Sequence, residues 1–396
     1  MFSVRPRLAW ALGAAVAAFA VMQLSSPKVD NPPVHANLQA PSAVAAVLRR
    51  ACYDCHSNET RLLWFDRIAP ATWLVARDVR SGRAHLNFSE AGAWPAPKQK
   101  AALFESVNHI LLGAMPSPAY LALHPSARIS DAELALLKNY LAPADAPLPP
   151  LRTKVAPDAA QPTAPVAVLP TKNGIGFPPD YTEWQAISAT ERFDNESLRV
   201  ILGNATALTA IDGDRVEPWP DGTAFAKLAW KAKRGVDGEL YPDEFWQVEF
   251  MFKDRARYAS THGWGFARWR GTMLAPYGDN PDFAEECVGC HTPVAKTDYV
   301  FTSPISGARG NSMLLNRSAA LPDAVLALAR ELRPMAPFIS PSRGSLELLS
   351  GNALARRHRA EQTTQAYPVG SVLSLVTWSR ADDPRWFGAR VPGATQ

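Results

Sequence analysis

Between Ser42 and Leu141 apolar residues recur every three or four positions, the spacing of one helix face. In SAVAAVLRRA, Val44, Val47, Leu48 and Ala51 share a face and predict a short amphipathic helix. A second helix is expected in KQKAALFESVNHILLG, with Leu103, Val107, Ile110 and Leu111 on one face and Gly113 as its stop. A third starts at Ser130, which forms a capping box with Glu133, and runs through Leu134, Leu137 and Leu141. Further along the period falls to two. In TAFAKLAWK, Phe225, Lys227, Ala229 and Lys231 share a face. In EFWQVEFMF, Trp246, Val248, Phe250 and Phe252 point one way and Gln247 and Glu249 the other. PWPDGT marks the turn before the first of these strands. NESLRVILGNATAL reads as a helix with Leu198, Ile201 and Leu202 inward.

A repeat follows. SLELLSGNA, from Ser345, parallels SLRVILGNA, from Ser197, at an offset of 148 residues, and YPVGSVLSLVTW, from Tyr367, parallels WPDGTAFAKLAW, from Trp219, at the same offset. In this copy Leu375 stands where Lys227 stands and no cysteine is present. It runs out at Gln396 before a second FWQVEF strand, which leaves its independent folding doubtful; packing against the first copy as an internal dimer is expected. The patterning predicts a multidomain chain: a small all-α domain over 35–142, a linker over 143–179, an α+β domain with an antiparallel sheet over 180–305, and a partial second copy over 340–396.

Composition changes the picture at two places. Much of the proline, 35 residues in the whole chain, lies between Pro143 and Pro179, which is why that stretch reads as a semi-rigid linker. An uncharged run from Leu8 to Leu24 follows Arg5 and Arg7, so residues 1–25 read as an export signal or a membrane anchor. With no small-x-small site closing the run, an uncleaved anchor over 8–24 is favoured, with the rest of the chain in the periplasm. Lys and Arg total 41 against 37 Asp and Glu, without a long basic tract, so no nucleic-acid partner is expected.

The cysteines supply the chemistry. All 4 fall in two Cys-x-x-Cys-His motifs: Cys52, Cys55 and His56, then Cys287, Cys290 and His291. A disulfide or redox pair needs only the thiols, and a zinc site needs further ligands nearby. Covalent haem c uses both thiols for thioether bonds and the adjacent histidine as iron ligand, which alone explains the histidine in both motifs. Two covalently attached haem groups are therefore expected. In the first, cytochrome c-like domain, Met115 before Pro116 is the candidate sixth ligand, competing with core packing of that methionine and with His85, His109 and His124 as ligands.

The motifs also carry two resemblances. ACYDCHSNETR, IAPATWLVARDV, GRAHLNFSE and MPSPAYLALHPSARIS, within about His35 to Leu141, resemble the bacterial haem-binding domain of exported cytochromes, which implies electron transfer. LRVILGNATAL, PWPDGTAFAKLAWK, HGWGFARW and DFAEECVGCHTPVAKTDYVFT, within about Tyr181 to Thr302, resemble the cytochrome P-460 family, to which cytochrome c prime beta is related. That resemblance implies a five-coordinate haem open to small nitrogen species or another small diatomic ligand. In one branch a lysine is bonded to the porphyrin and hydroxylamine is oxidised; Lys227 aligns with that lysine, and Lys231 is the alternative. Glu249 is a candidate base and Arg199 a pocket residue. The expectation is an exported di-haem cytochrome, with hydroxylamine oxidoreductase activity or, alternatively, nitric oxide binding, and with a periplasmic redox partner protein. A two-haem peroxidase fits the haem count but lacks support from the resemblance.

Overall fold

The computed structural model describes residues 6–142, 167–307, 312–361 and 365–396, and the chain forms two compact units that divide after Ala142. The first is helical: α1 (Pro6–Leu24), α2 (Ser42–Ala51), α3 (Tyr53–His56), α4 (Ala71–His85), α5 (Ala96–Leu111), α6 (Pro118–Leu123) and α7 (Asp131–Leu141). The four apolar residues of α2 are buried, as their spacing requires, and the Ser130–Glu133 capping box is formed. Helix α5 is rotated slightly from expectation. It buries Leu103, Phe104 and Val107, while Leu111 is exposed at the helix end. The apolar run at 8–24 forms α1, but it is alanine-rich, and among the described residues no helix is long and apolar enough to cross a membrane. The end of α1 is tied to this unit, with Gln23 bonded to the carbonyl of Arg67 at 2.9 Å and to the amide of Ala69 at 2.9 Å.

The second unit is built on antiparallel strands: β1 (Gln185–Arg192), β2 (Ser197–Gly203), α8 (Ala205–Asp212), β3 (Ala224–Arg234), β4 (Leu240–Lys253), β5 (Trp264–Arg270), β6 (Ala275–Pro276) and α9 (Phe283–His291). After these come β7 (Ile305–Gly307), β8 (Asn316–Leu321), α10 (Asp323–Glu331), β9 (Arg333–Ser340), β10 (Ser345–Gly351), α11 (Ala353–Ala360), β11 (Leu373–Asp382) and β12 (Ala389–Thr395). Strands pair in the order β3-β2-β1-β12-β11-β10-β9-β4, and β4 pairs back onto β3, so the sheet closes on itself. β5 and β6 extend from β4.

Three expectations change here. Residues 197–203 are a strand rather than the start of a helix. Every residue of β2 is buried, because Leu198, Val200 and Leu202 enter the barrel core while Arg199 and Ile201 face the outer side. With both faces covered, the alternation that marks a strand disappears from the sequence. The helix begins only at Ala205, after Asn204 caps it. The linker is shorter than 143–179. Residues 143–166 lie outside the described residues, but Ile175 is core and Phe177 packs on it, so the chain has joined the barrel before Pro179.

The repeat, in turn, is larger than 340–396. β9, β10 and α11 match β1, β2 and α8 residue for residue at the 148-residue offset, and β12 pairs with β11 as β4 pairs with β3. Its sequence, ARVPGAT, is unlike FWQVEF, yet it occupies that strand's place. The copies pair through β1–β12 and β4–β9, the arrangement of an internal dimer. One core unites them: Leu198, Leu228, Trp230 and Trp269 from the first meet Leu346, Leu348 and Trp378 from the second.

Candidate haem sites

In the second unit three strands set a row of charges on the outer face of the barrel. Lys227 on β3, Glu249 on β4 and Arg268 on β5 lie directly opposite one another in register. Lys227 forms an ion pair with Glu249, and Arg268 Nε stands 2.7 Å from Glu249 Oε1. Gln247 donates to the same oxygen at 3.0 Å. Burial alone would push the Glu249 carboxyl up, but Lys227, Arg268 and Arg199 together hold it far below the usual carboxylate range. Burial depresses Lys227, against the opposing pull of Glu249, and lowers Arg199 to about 9 with help from the like charge of Arg192.

Helix α9 brings Cys287, Cys290 and His291 to the same cavity that Arg199, Lys227 and Glu249 line. The segment after α9 orients the histidine. His291 Nδ1 donates to the carbonyl of Tyr299 at 2.6 Å, with Phe266 and Phe301 beside the ring at 5.2 and 5.1 Å. That carbonyl is held in place because Asp298, one residue earlier, is bonded to the buried Lys253 at 2.7 Å and to the amide of Trp219 at 3.0 Å. Burial lowers His291 to about 4, so its ring is neutral, with Nε2 left to bind a metal.

The first unit repeats the device. His56 Nδ1 donates to the carbonyl of Leu86 at 3.0 Å, and burial lowers this ring as well. Helix α4 passes so close to the motif that a Cβ on Gly82 would fall 2.5 Å from the carbonyl oxygen of Cys55, a contact only glycine avoids. Burial pushes the Cys52 and Cys55 thiols up to about 12 and the Cys287 thiol up to about 11. The segment following Met115 is tied to the motif by Tyr120, whose hydroxyl donates to Asp54 Oδ2 at 2.8 Å. Met115 itself is 43 % exposed, which removes core packing as its role. Among its competitors, His124 is engaged by Asp66 at 3.4 Å and stacked on Tyr120, and His85 is bonded to the carbonyl of Ser81. His109 keeps a buried Nδ1 without a hydrogen-bond partner.

Residues 12–143 match the family model of a haem-binding domain, and residues 178–302 match that of cytochrome P460. The chain joins a haem-binding domain to a cytochrome P460 domain. No curated protein matches it. Haem is thus the group these sites are built for, and the residues fit: in each, two thiols and a neutral imidazole come from one short segment, with the imidazole oriented by a backbone carbonyl. The four cysteines form no disulfide, and among the described residues no cluster of His, Cys, Asp or Glu is arranged to hold a metal ion by itself.

In the cytochrome P460 domain the cavity gathers every site residue expected from the sequence except the alternative lysine. Lys231 does not line it and lies instead over the Trp246 ring at 3.8 Å. The sequence reading missed a whole wall. Asp383, Trp386, Ala389 and Val391, all from the cysteine-free repeat, line the cavity too. Only the 148-residue offset hinted that the repeat packs against the first copy, and nothing in it pointed to these residues.

Proposed function

We propose that the chain is an exported di-haem c-type cytochrome whose P460 domain reacts with a small nitrogen species and whose haem-binding domain transfers electrons. The observation that carries this is the single cavity shared by Cys287, Cys290 and His291 with Lys227, Glu249 and Arg199. Cys287 and Cys290 would hold the porphyrin and His291 the iron, and the group would supply a one-electron redox centre able to bind a small ligand. Around it the chain's own groups do the rest. Arg199 and Arg268 make the site cationic, favouring polar or anionic nitrogen ligands, and Lys227, which lines the cavity and aligns with the cross-linking lysine of the hydroxylamine-oxidising branch, is the candidate for a bond to the porphyrin. In the haem-binding domain Met115 is the proposed sixth ligand, which would close that iron to substrate, and His109 is its remaining competitor. The N-terminal apolar segment supports export to the periplasm, where haem c is attached and a redox partner protein would be met.

The ion pair between Lys227 and Glu249 favours a second reading, nitric oxide binding without turnover, because an ammonium held on a carboxylate is a poor nucleophile toward the porphyrin edge. Peptide mass mapping of protein matured with haem c separates the two. A haem that carries both the Cys287–Cys290 peptide and the Lys227 peptide supports hydroxylamine oxidation. A haem that carries only its cysteine peptide supports nitric oxide binding.

A further inference from the structure

The connection from β11 to β12 leaves the repeat and reaches across to the haem cavity of the other copy. It is fastened at several points. Arg385 donates to the carbonyl of Phe301 at 2.7 Å, Trp386 donates from Nε1 to Asp194 Oδ2 at 2.9 Å, and the Trp386 ring meets Phe301 at 5.4 Å. Phe301 in turn touches the ring of His291. At the start of this connection, Asp383 lines the cavity. We propose that Asp383, supplied by the cysteine-free repeat, is the group that takes up and releases the protons of ligands bound in the cavity.

The cavity is lined by three carboxyl groups, and their surroundings divide the work. Glu249 is locked between Lys227, Arg268 and Arg199 and stays ionised, so it fixes charge and is a weak base. Glu286 is 60 % exposed and bonded by the Tyr277 hydroxyl at 3.1 Å, which places it at the rim. Asp383 accepts from the amide of Arg385 at 2.8 Å and has no ion pair within 4 Å among the described residues. Burial raises its carboxyl, and the amides of Arg385 and Trp386 and the charges of Arg385 and Arg192 offset this only in part. Arg192 is itself committed to Asp194. A carboxyl raised toward the working pH can pass a proton both ways, whereas one held far below it cannot.

This rests on the reading of the cavity as the reactive haem site. Oxidation of hydroxylamine there follows NH2OH → NO + 3 H+ + 3 e−, with the electrons passing to a one-electron acceptor of the cytochrome class. Each proton leaves nitrogen or oxygen for the Asp383 carboxylate and goes from there to solvent.

Azide tests the proton group without turnover. It binds ferric haem as an anion, so a neutral Asp383 favours it and an ionised one opposes it. Above the pKa of Asp383, azide binding to the matured ferric protein should weaken by about an additional tenfold per pH unit in the parent. This bend should vanish in Asp383→Asn, shift but persist in Asp383→Glu, and remain in Glu249→Gln. The isosteric Asn keeps an acceptor for the Arg385 amide, and an unchanged Soret spectrum confirms that the pocket survives. A bend that persists in Asp383→Asn, or that is absent from the parent, overturns the proposal. Hydroxylamine turnover is measured on the same samples. Its absence from the parent defeats the oxidase reading while the azide titration still decides the role of Asp383.

Discussion

On the outer face of the first copy, β2 presents Arg199 and Ile201 and β3 presents Phe225 and Lys227. The same positions 148 residues later hold Glu347, Leu349, Leu373 and Leu375. The inward residues tell the opposite story: Leu198, Leu228 and Trp230 are matched by Leu346, Val376 and Trp378, all in one core. The copies share the inward frame and differ in the chemistry of one outer face. Glu347 now bonds Ser345 and Arg343, and Leu375 stands 55 % exposed where Lys227 lines a cavity. The repeat contributes to the site from its other end, through the β11–β12 connection. A copy without the cysteine motif can therefore serve as a wall of its neighbour's cavity.

The largest expected effect comes from making the first copy resemble the second. Replacing Cys287 and Cys290 together by alanine should abolish covalent haem on the P460 domain and leave that on Cys52 and Cys55, halving the haem-to-protein ratio read by pyridine haemochrome and intact mass. An unchanged ratio would show that the motif is not the attachment site.

Next in size is the shared core. Trp378→Ala, in the repeat, should cost about 3–5 kcal/mol, the range for deleting a large buried aromatic. Because the barrel closes through both copies, the loss should appear equally in far-ultraviolet circular dichroism and in the P460 Soret band, as one transition. If the Soret transition stays where it was, the repeat is an appended module and the single core is wrong.

How far the sequence disclosed this arrangement depended on how wet each element is. β3 and most of β4 were legible because one face of each borders the cavity, so polar residues interrupt the apolar ones at period two; a bulge opposite Trp230 breaks that period and puts Phe245 in the core in place of Trp246, which lies under Lys231. β2, buried on both sides, lost that signature and read as a helix. The two Cys-x-x-Cys-His motifs stood out because each is local, five residues long, and needs no tertiary pairing to be seen. Asp383 was not, because its placement depends on the pairing of β1 with β12, about two hundred residues apart in the chain, and because ARVPGAT carries no trace of the strand it replaces. Ile175 and Phe177 were hidden by the prolines around them, which mark an irregular path without saying whether that path is packed.

The seam between the copies offers a sharper test at smaller cost. Arg380 of the repeat and Glu191 of the first copy form a bidentate pair at 2.9 Å, with side chains only 12 % and 6 % exposed. Removing one partner of such a pair leaves a buried charge behind, so Arg380→Ala should cost about 3 kcal/mol, the lower end of the usual range, because Arg390 stands 3.7 Å from the same carboxylate and relieves part of it. Glu191→Gln in the Arg380→Ala background should recover stability in urea denaturation. If the second change adds further loss, the pair is not what joins the copies at this seam.

The smallest effect compares the copies most directly. Asn204 and Asn352 cap equivalent helices, each accepting from the amide three residues on at 3.0 Å and donating to a glycine carbonyl, Gly222 or Gly370, at 2.9 Å. Asn204 alone also accepts from the amide of Ala224 at 3.1 Å, which ties its cap to the strand bearing Lys227. Loss of a cap costs about 0.5–2 kcal/mol, so Asn352→Ala belongs near 1 and Asn204→Ala near the top of that range. The two variants should also differ in kind. Freeing the start of β3 loosens the strand that sets Lys227 against Glu249, so Asn204→Ala should broaden or shift the P460 Soret band while Asn352→Ala leaves it alone. Equal losses of stability with equal spectra would mean that the extra hydrogen bond contributes nothing and that the two frames are equivalent at their caps.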